Sequence, residues 1–168
     1  KNIFILNNLN EKQISVLKSK DFYFIISLMI IDETDNSDYF LYKFKVSNEQ
    51  KKRIKLLKKF YVENIKKNIF TEENLWKVFY ENDKIILNDI IDLHLMKNKS
   101  SIKKLIKLKE FFKDKEPPKF NINATYIMEK FKIEEGPFLG QKLKQIEKQW
   151  LENKFKISEQ KITEIVNN

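Results

Sequence analysis

A chain of 168 residues with 42% hydrophobic content is long enough for one domain, or for a helical body with an appended tail, and apolar enough to bury a core. It has no cysteine, which excludes a disulfide frame and a thiolate metal site. Its net charge of +9 comes from lysine, with Arg53 the sole arginine, and the abundant Asn and Ile beside it match the codon bias of an AT-rich genome, so the distribution of charge says more than its total.

Taken in chain order, the sequence predicts helices throughout. The first residues mix Asn and Leu without a secretory cleavage site, and a start at Lys1 rather than Met reads as that of a fragment. The longest apolar run, Phe22 to Ile31, is broken only by Ser27. It falls short of the roughly 20 residues needed to span a bilayer, so a buried core helix in a cytoplasmic protein is expected, with no membrane partner. Asp38 to Val46 alternates as a strand does, and reads either as a short extended lead-in or as the end of a helix. Ser47-Asn48-Glu49-Gln50 is a capping-box pattern. The helix it opens carries Ile54, Leu57, Tyr61 and Ile65 as an apolar stripe, with Lys52, Lys55, Lys59 and Lys66 on another face.

Thr71 caps a further helix, with Glu72 and Glu73 in the first turn where the dipole favours them and Leu75, Trp76 and Phe79 turned inward. Asn82-Asp83 ends it. Ile85 to Met96 is a strongly apolar helix expected to be internal. His94 is placed on its flank, because one His without a nearby Cys or His makes a poor metal site. Asp89 and Asp92 read as surface charges. Ser100 or Ser101 caps the next helix, that of Ile102, Leu105, Ile106, Lys109 and Phe112. Lys103 and Lys104 in its first turn oppose the dipole by roughly 0.3–1 kcal/mol each, a cost that an anionic partner or solvation offsets. Glu116-Pro117-Pro118 stops it, because a residue before proline avoids helical angles. That stop is the predicted boundary between a body, 1–116, and a tail, 117–168.

The positive charge lies in two blocks. Lys43 to Asn68 holds 10 Lys or Arg against 2 acids, and Lys97 to Lys119 holds 9 Lys against 3 acids. The stretch between them, Ile69 to Met96, is acidic, with 6 acids against 2 lysines. Clustered lysine favours polyanions through counterion release, although either block alone also reads as a solvated helix face.

The tail holds both glycines of the chain, Gly136 and Gly140. Pro137 follows Gly136 directly and is preorganised for a first helical turn, so Glu135 to Gly140 reads as a turn opening into a helix. The N–H groups of such a helix start can hold a phosphate, with Lys142 and Lys144 adding charge on the next turn. The plainer alternative makes Gly136 a helix C-cap and Gly140 a packing contact. Trp150 and Phe155 read as tail core rather than as stacking platforms.

Pro118, Phe120, Ile122, Asn123, Ile127, Met128, Gly136, Pro137, Leu139, Gly140, Leu143, Glu147, Trp150 and Leu151 stand at a distinctive spacing. With them the tail resembles the C-terminal region of bacterial tRNA nucleotidyltransferases, the CCA-adding enzymes, and their relatives the poly(A) polymerases. Ala124 and Lys132 stand where that pattern has Gly, and Tyr126 where it has Asp. Upstream, Tyr42 to Glu49 is similar to the start of the family's helical body. The resemblance implies an all-α fold, an irregular multi-helix body with a small helical tail containing a turn-helix element of helix-hairpin-helix type.

The catalytic strings of that family are missing. Nucleotidyl transfer needs paired carboxylates holding magnesium beside a Gly-rich loop, and neither glycine lies near paired aspartates. No nucleotide-selecting E-D-x-x-R string is present, and His94 followed by Leu95 excludes a His-Asp phosphohydrolase site. The chain therefore reads as having no catalytic residue, no metal site and no cofactor of its own, with magnesium and nucleoside triphosphates used by a head that is not in it. By resemblance, body and tail hold tRNA or another structured RNA, with Gly136, Pro137 and Gly140 as the phosphate-contact element. CCA addition and poly(A) addition both fit, as does a head in cis or in trans. The alternative is a stand-alone helical interaction protein that docks a separately encoded catalytic subunit.

Overall fold

The structure, a computed structural model, describes residues 9–66, 70–97 and 102–168. The caps read at Ser100 or Ser101, and the side chains of Ile65 and Lys66, lie outside what it describes. Among the described residues every regular element is a helix, so the fold is all-α. The chain divides into two compact units, Lys1–Glu116 and Pro117–Asn168, and the division falls at the proline pair.

Among the described residues seven helices build the first unit. They are α1 (Glu11–Lys18), α2 (Phe22–Ile30), α3 (Asn36–Lys43), α4 (Asn48–Lys66), α5 (Glu72–Glu81), α6 (Lys84–Lys97) and α7 (Ile102–Phe112). Helix α6 is largely apolar and is buried almost throughout from Leu87 to Met96. A helix of that kind needs neighbours all round. It has them, because α1, α2, α4, α5 and α7 all pack against it. The core around it includes Phe24, Leu57, Leu75, Phe79, Ile90 and Phe112. Fully burying one such side chain stabilises by about 1.5–3 kcal/mol.

Local chemistry sets the helix starts. Asn10 caps α1 in a full capping box with Gln13, and the Gln13 amide donates across to the Leu95 carbonyl, which pins α1 to α6. Asp21 caps α2 through the Phe24 N–H. Ser47 caps α4 by accepting from the Gln50 N–H at 3.3 Å, while the Gln50 side chain turns to Arg53 instead of back to the cap. Thr71 caps α5, and Asp83 accepts from the Ile86 N–H at the start of α6. The alternation from Asp38 to Val46 resolves as the second half of α3 followed by extended backbone at Phe44. Asp32 sets up that helix by accepting from Thr34 and Asn36, which curls the chain into its first turn.

The second unit is three helices, α8 (Ala124–Phe131), α9 (Pro137–Glu152) and α10 (Glu159–Asn167), with α9 packed on both others. Ile127, Leu139, Ile146, Ile162 and Val166 form its core, with Phe120, Ile122 and Leu143 packed against them. Asn123 caps α8 and Ser158 caps α10. After α9, Lys154 and Phe155 take left-handed backbone, and the Phe155 N–H closes on the Trp150 carbonyl at 2.8 Å. That six-residue closure is a common way to end a helix.

Lys132, at the end of α8, also takes left-handed backbone, at φ 56° and ψ 38°. The glycine that the resembled pattern places here suits that conformation, whereas the Lys132 Cβ crowds it by about 1–2 kcal/mol. Lys132→Gly relieves that crowding and gives back part of the gain as chain entropy, for a net stabilisation of about 0.5–1 kcal/mol. Urea unfolding followed by Trp150 fluorescence in a Trp76→Phe background measures it. An unchanged or lowered midpoint contradicts the assignment.

Candidate nucleic-acid interface

The two acids of α6 are not surface charges, contrary to the expectation from sequence. Asp89 and Asp92 are 1% and 0% exposed, one helical turn apart on the same side of α6. Lys20 reaches both, at 2.7 Å to Asp89 and 2.8 Å to Asp92. Arg53 donates through Nε and its second amino group to Asp89 at 2.7 and 2.6 Å, and through its first to Asp21 at 2.6 Å. Lys109 holds both oxygens of Asp92, at 2.6 and 2.9 Å. Burial works against the Lys20 ammonium, but Asp92 and Asp89 outweigh it and hold its pKa above the ordinary lysine value. The same balance, with Asp21 and Asp89, raises Arg53. Three cations therefore occupy the carboxylates from α1–α2, α4 and α7, and the pair is committed to holding helices together rather than to a metal. Among the described residues no cluster of His, Asp or Glu could hold a metal ion.

His94 lies deeper than the expected flank. It is buried against Phe70, with ring centroids 4.2 Å apart, and near Tyr61. Among the described residues neither ring nitrogen has a hydrogen-bond partner. Burial lowers its pKa to about 4; the Ile90 carbonyl one turn back opposes this, though not placed well enough to count as a hydrogen bond, and nearby Lys97 adds to the lowering. The neutral ring is a packing group.

The outward charge is different in kind. Lys52, Lys55 and Lys59 are exposed on one face of α4, at a spacing that stacks them along about 10 Å of helix. Among the described residues Lys52 and Lys55 form no ion pair, and the Lys59 ammonium lies 5.9 Å from the Phe60 ring centroid. Lys103 and Lys104 are exposed in the first turn of α7. A cleft of about 500 Å³ beside Arg53 is lined by Glu49, Glu81 and Asp83 as well as Lys52, so its sign does not suit an anion.

In the second unit Gly136, Pro137 and Gly140 are exposed at the start of α9. Gly136 is the N-cap of α9, not a C-cap, and its backbone is extended, open to any residue. A methyl group at Gly136 or Gly140 would meet nothing within 4 Å. So neither glycine serves packing within the second unit. Among the described residues no side chain caps α9, and Pro137 has no N–H, which leaves the Phe138 and Leu139 N–H groups at an open helix start. Lys144 is exposed beyond them, while Glu134 and Glu135 stand exposed before them. Lys142 departs from the expected role. It is buried, its ammonium donates to the Ile165 carbonyl at 2.8 Å near the end of α10, and it lies 4.9 Å from the Phe138 ring centroid. It braces two helices and is not free to meet an external anion.

The whole frame, body and tail together, matches one family model. That model, tRNA nucleotidyltransferase domain 2, covers residues 15–166. The chain belongs to the tRNA nucleotidyltransferase domain 2 family. No curated protein and no solved structure matches it. Within this tRNA nucleotidyltransferase domain, most residues that carry the sequence resemblance prove to be interior. Phe120, Ile122, Ile127, Leu139 and Leu143 belong to the tail core, and Trp150 is buried between the Phe120 and Phe155 rings at 5.2 and 5.0 Å. Tyr126, in place of the pattern's Asp, accepts from Lys130 at 2.9 Å and donates to Glu159 at 3.3 Å, tying α8 to α10. Gly136, Pro137 and Gly140, with the α8 cap Asn123, are the exposed remainder. Sequence reasoning missed the carboxylate clamp. Its signal was two acids three apart inside an otherwise apolar helix, in a chain with a single arginine.

Proposed function

We propose that this domain is the RNA-binding body and tail of a nucleotidyltransferase that extends RNA 3′ ends, with tRNA as its RNA. Catalysis comes from a head in cis or in trans that supplies the magnesium and triphosphate chemistry. The observation that carries the reading is the exposed lysine face of α4, without an ion pair among the described residues, in a chain of this family. The fold neutralises its inner charges among themselves and leaves these lysines outward, where a polyanion recovers free energy by counterion release. Structured RNA is met through its backbone and shape, which suits lysines rather than a set of base-reading side chains.

The turn at Gly136 and Gly140 supports a second contact. Nothing within the second unit needs glycine at either place, and a small residue at an open helix start lets a phosphate approach the Phe138 and Leu139 N–H groups. Lys144 adds charge on the following turn. Lys103 and Lys104 add it at the start of α7.

The test is binding to a tRNA transcript lacking its CCA end. Lys52→Ala/Lys55→Ala/Lys59→Ala should weaken binding and flatten the salt dependence by roughly 3 in log–log slope, about one for each lysine that no longer meets a phosphate. Gly136→Asp/Gly140→Asp should weaken it through carboxylates set against phosphate. Lys142→Ala serves as a control that loosens the tail but leaves the slope unchanged. An unchanged affinity and slope in the lysine variant would sink the reading.

A further inference from the structure

We propose that the corner between α3 and α4 is a stacking platform for unpaired nucleotides, built from the rings of Tyr39, Tyr42 and Phe44 and flanked by Lys43 and Lys45. The proposal rests on the RNA-binding reading above and adds to it a distinct site and a distinct form of RNA.

Three aromatic side chains are left in water within six residues of one another. Tyr39 is 60%, Tyr42 88% and Phe44 51% exposed. The fold does not need them there, because α3 is held by buried Ser37 and by half-buried Phe40 and Leu41 on its other side. Aromatic rings clustered in solvent, on a domain that buries Phe24, Phe79 and Phe112 elsewhere, mark a surface with a partner. Two of the three rings have contacts that hold them. Phe44 packs on Phe40 with centroids 4.9 Å apart, and the Lys43 ammonium lies 5.7 Å from the Tyr39 ring and 5.9 Å from the Phe44 ring. One cation is thus within reach of both Tyr39 and Phe44 before any ligand arrives.

Charge chooses the kind of partner. Protein interface cores are enriched in aromatic residues but depleted of lysine. Here Lys43 and Lys45 are exposed beside the rings, and the segment from Lys43 to Asn68 is the most basic of the chain. The nearest acid on α3, Asp38, is neutralised by Lys58 of α4. Aromatic rings set in a basic surface are what a single strand requires, because bases stack on the rings while lysines follow the backbone. Paired bases are already stacked on each other and cannot use the rings, so the platform takes unpaired nucleotides and the lysine face of α4 takes the backbone.

The experiment compares two RNA probes on the full chain, a blunt hairpin and the same hairpin with an unpaired 3′ extension. The extension should tighten binding by roughly ten- to a hundredfold, the range expected of one well-stacked base. Tyr39→Ala/Tyr42→Ala should remove that gain and leave the blunt hairpin bound as before, with helicity unchanged by circular dichroism. Tyr42→Phe, which keeps a ring, should retain the gain, and Tyr42→Leu should lose most of it. If the hairpin binds and the extension adds nothing, the platform is overturned and the RNA-binding reading stands. Should neither probe bind, both fall. A gain that survives in the double variant leaves the rings to a protein partner and also overturns the platform.

Discussion

Replacing Asp89 by Ala should lower the unfolding free energy of the first unit by about 3–5 kcal/mol. The magnitude follows from what is left behind. Asp89 accepts from Lys20 and twice from Arg53, and it is almost wholly buried. Its removal strands the Arg53 guanidinium beside α6 with only Asp21 and Gln50 near the surface, and leaves Lys20 to Asp92 alone. An uncompensated buried cation costs far more than the net worth of the pair, because desolvation is no longer offset by attraction. Domains of this size have about 5–15 kcal/mol in total, so the variant should lose a large share of its stability. Arg53→Lys should also destabilise, since one ammonium cannot span Asp21 and Asp89 as a planar fork does. Urea denaturation followed by far-UV circular dichroism measures both. A loss under about 1 kcal/mol for Asp89→Ala would place the carboxylate in water and contradict the clamp.

The second large effect is a pH dependence centred on His94. Its folded pKa, about 4, lies below the ordinary value of 6.5. Above pH 6.5 the ring is neutral in both states and costs nothing. As pH falls through that value the unfolded chain takes up a proton that the folded chain refuses, so stability drops until the folded ring protonates near pH 4. The expected loss is about 2 kcal/mol between pH 7 and 5 and about 3 kcal/mol by pH 4. The groups facing His94 fit this sign, because Phe70 and Tyr61 offer it no hydrogen bond and Lys97 repels the imidazolium. His94→Phe should flatten the profile in that window. A wild-type profile that is flat from pH 7 to 5 would mean that the ring finds a partner or water.

Much of the fold was legible because it is local. The caps at Ser47 and Thr71 and the internal character of Leu87 to Met96 follow from spacing within a few turns, although Ile85, expected inside with them, is 64% exposed. The clamp was not legible, because its partners lie far apart in sequence, 69 residues for Lys20 with Asp89 and 36 for Arg53 with Asp89. A window that scores acids as polar places them outside. Lys142 misled for the same reason, since its acceptor is the Ile165 carbonyl on another helix. The alternation at Asp38 to Val46 left open an extended lead-in or the end of a helix, and the structure shows the end of a helix. That Tyr39, Tyr42 and Phe44 face water is something no pattern of residue types could say. In the candidate interface, the lysine spacing on α4 could be read directly from sequence. The open space around Gly136 and Gly140 could not, because whether a glycine is needed depends on what surrounds it.

The measurement that bears most directly on the central claim is binding of the unaltered chain to a tRNA transcript lacking its CCA end, over a salt series, in competition with heparin. The account predicts a steep salt dependence together with a preference for tRNA that persists at physiological salt, as expected of a lysine face arranged for RNA rather than for charge alone. Equal displacement by heparin at every salt concentration would reduce the lysines to a compositional surplus and contradict the claim that this domain holds tRNA.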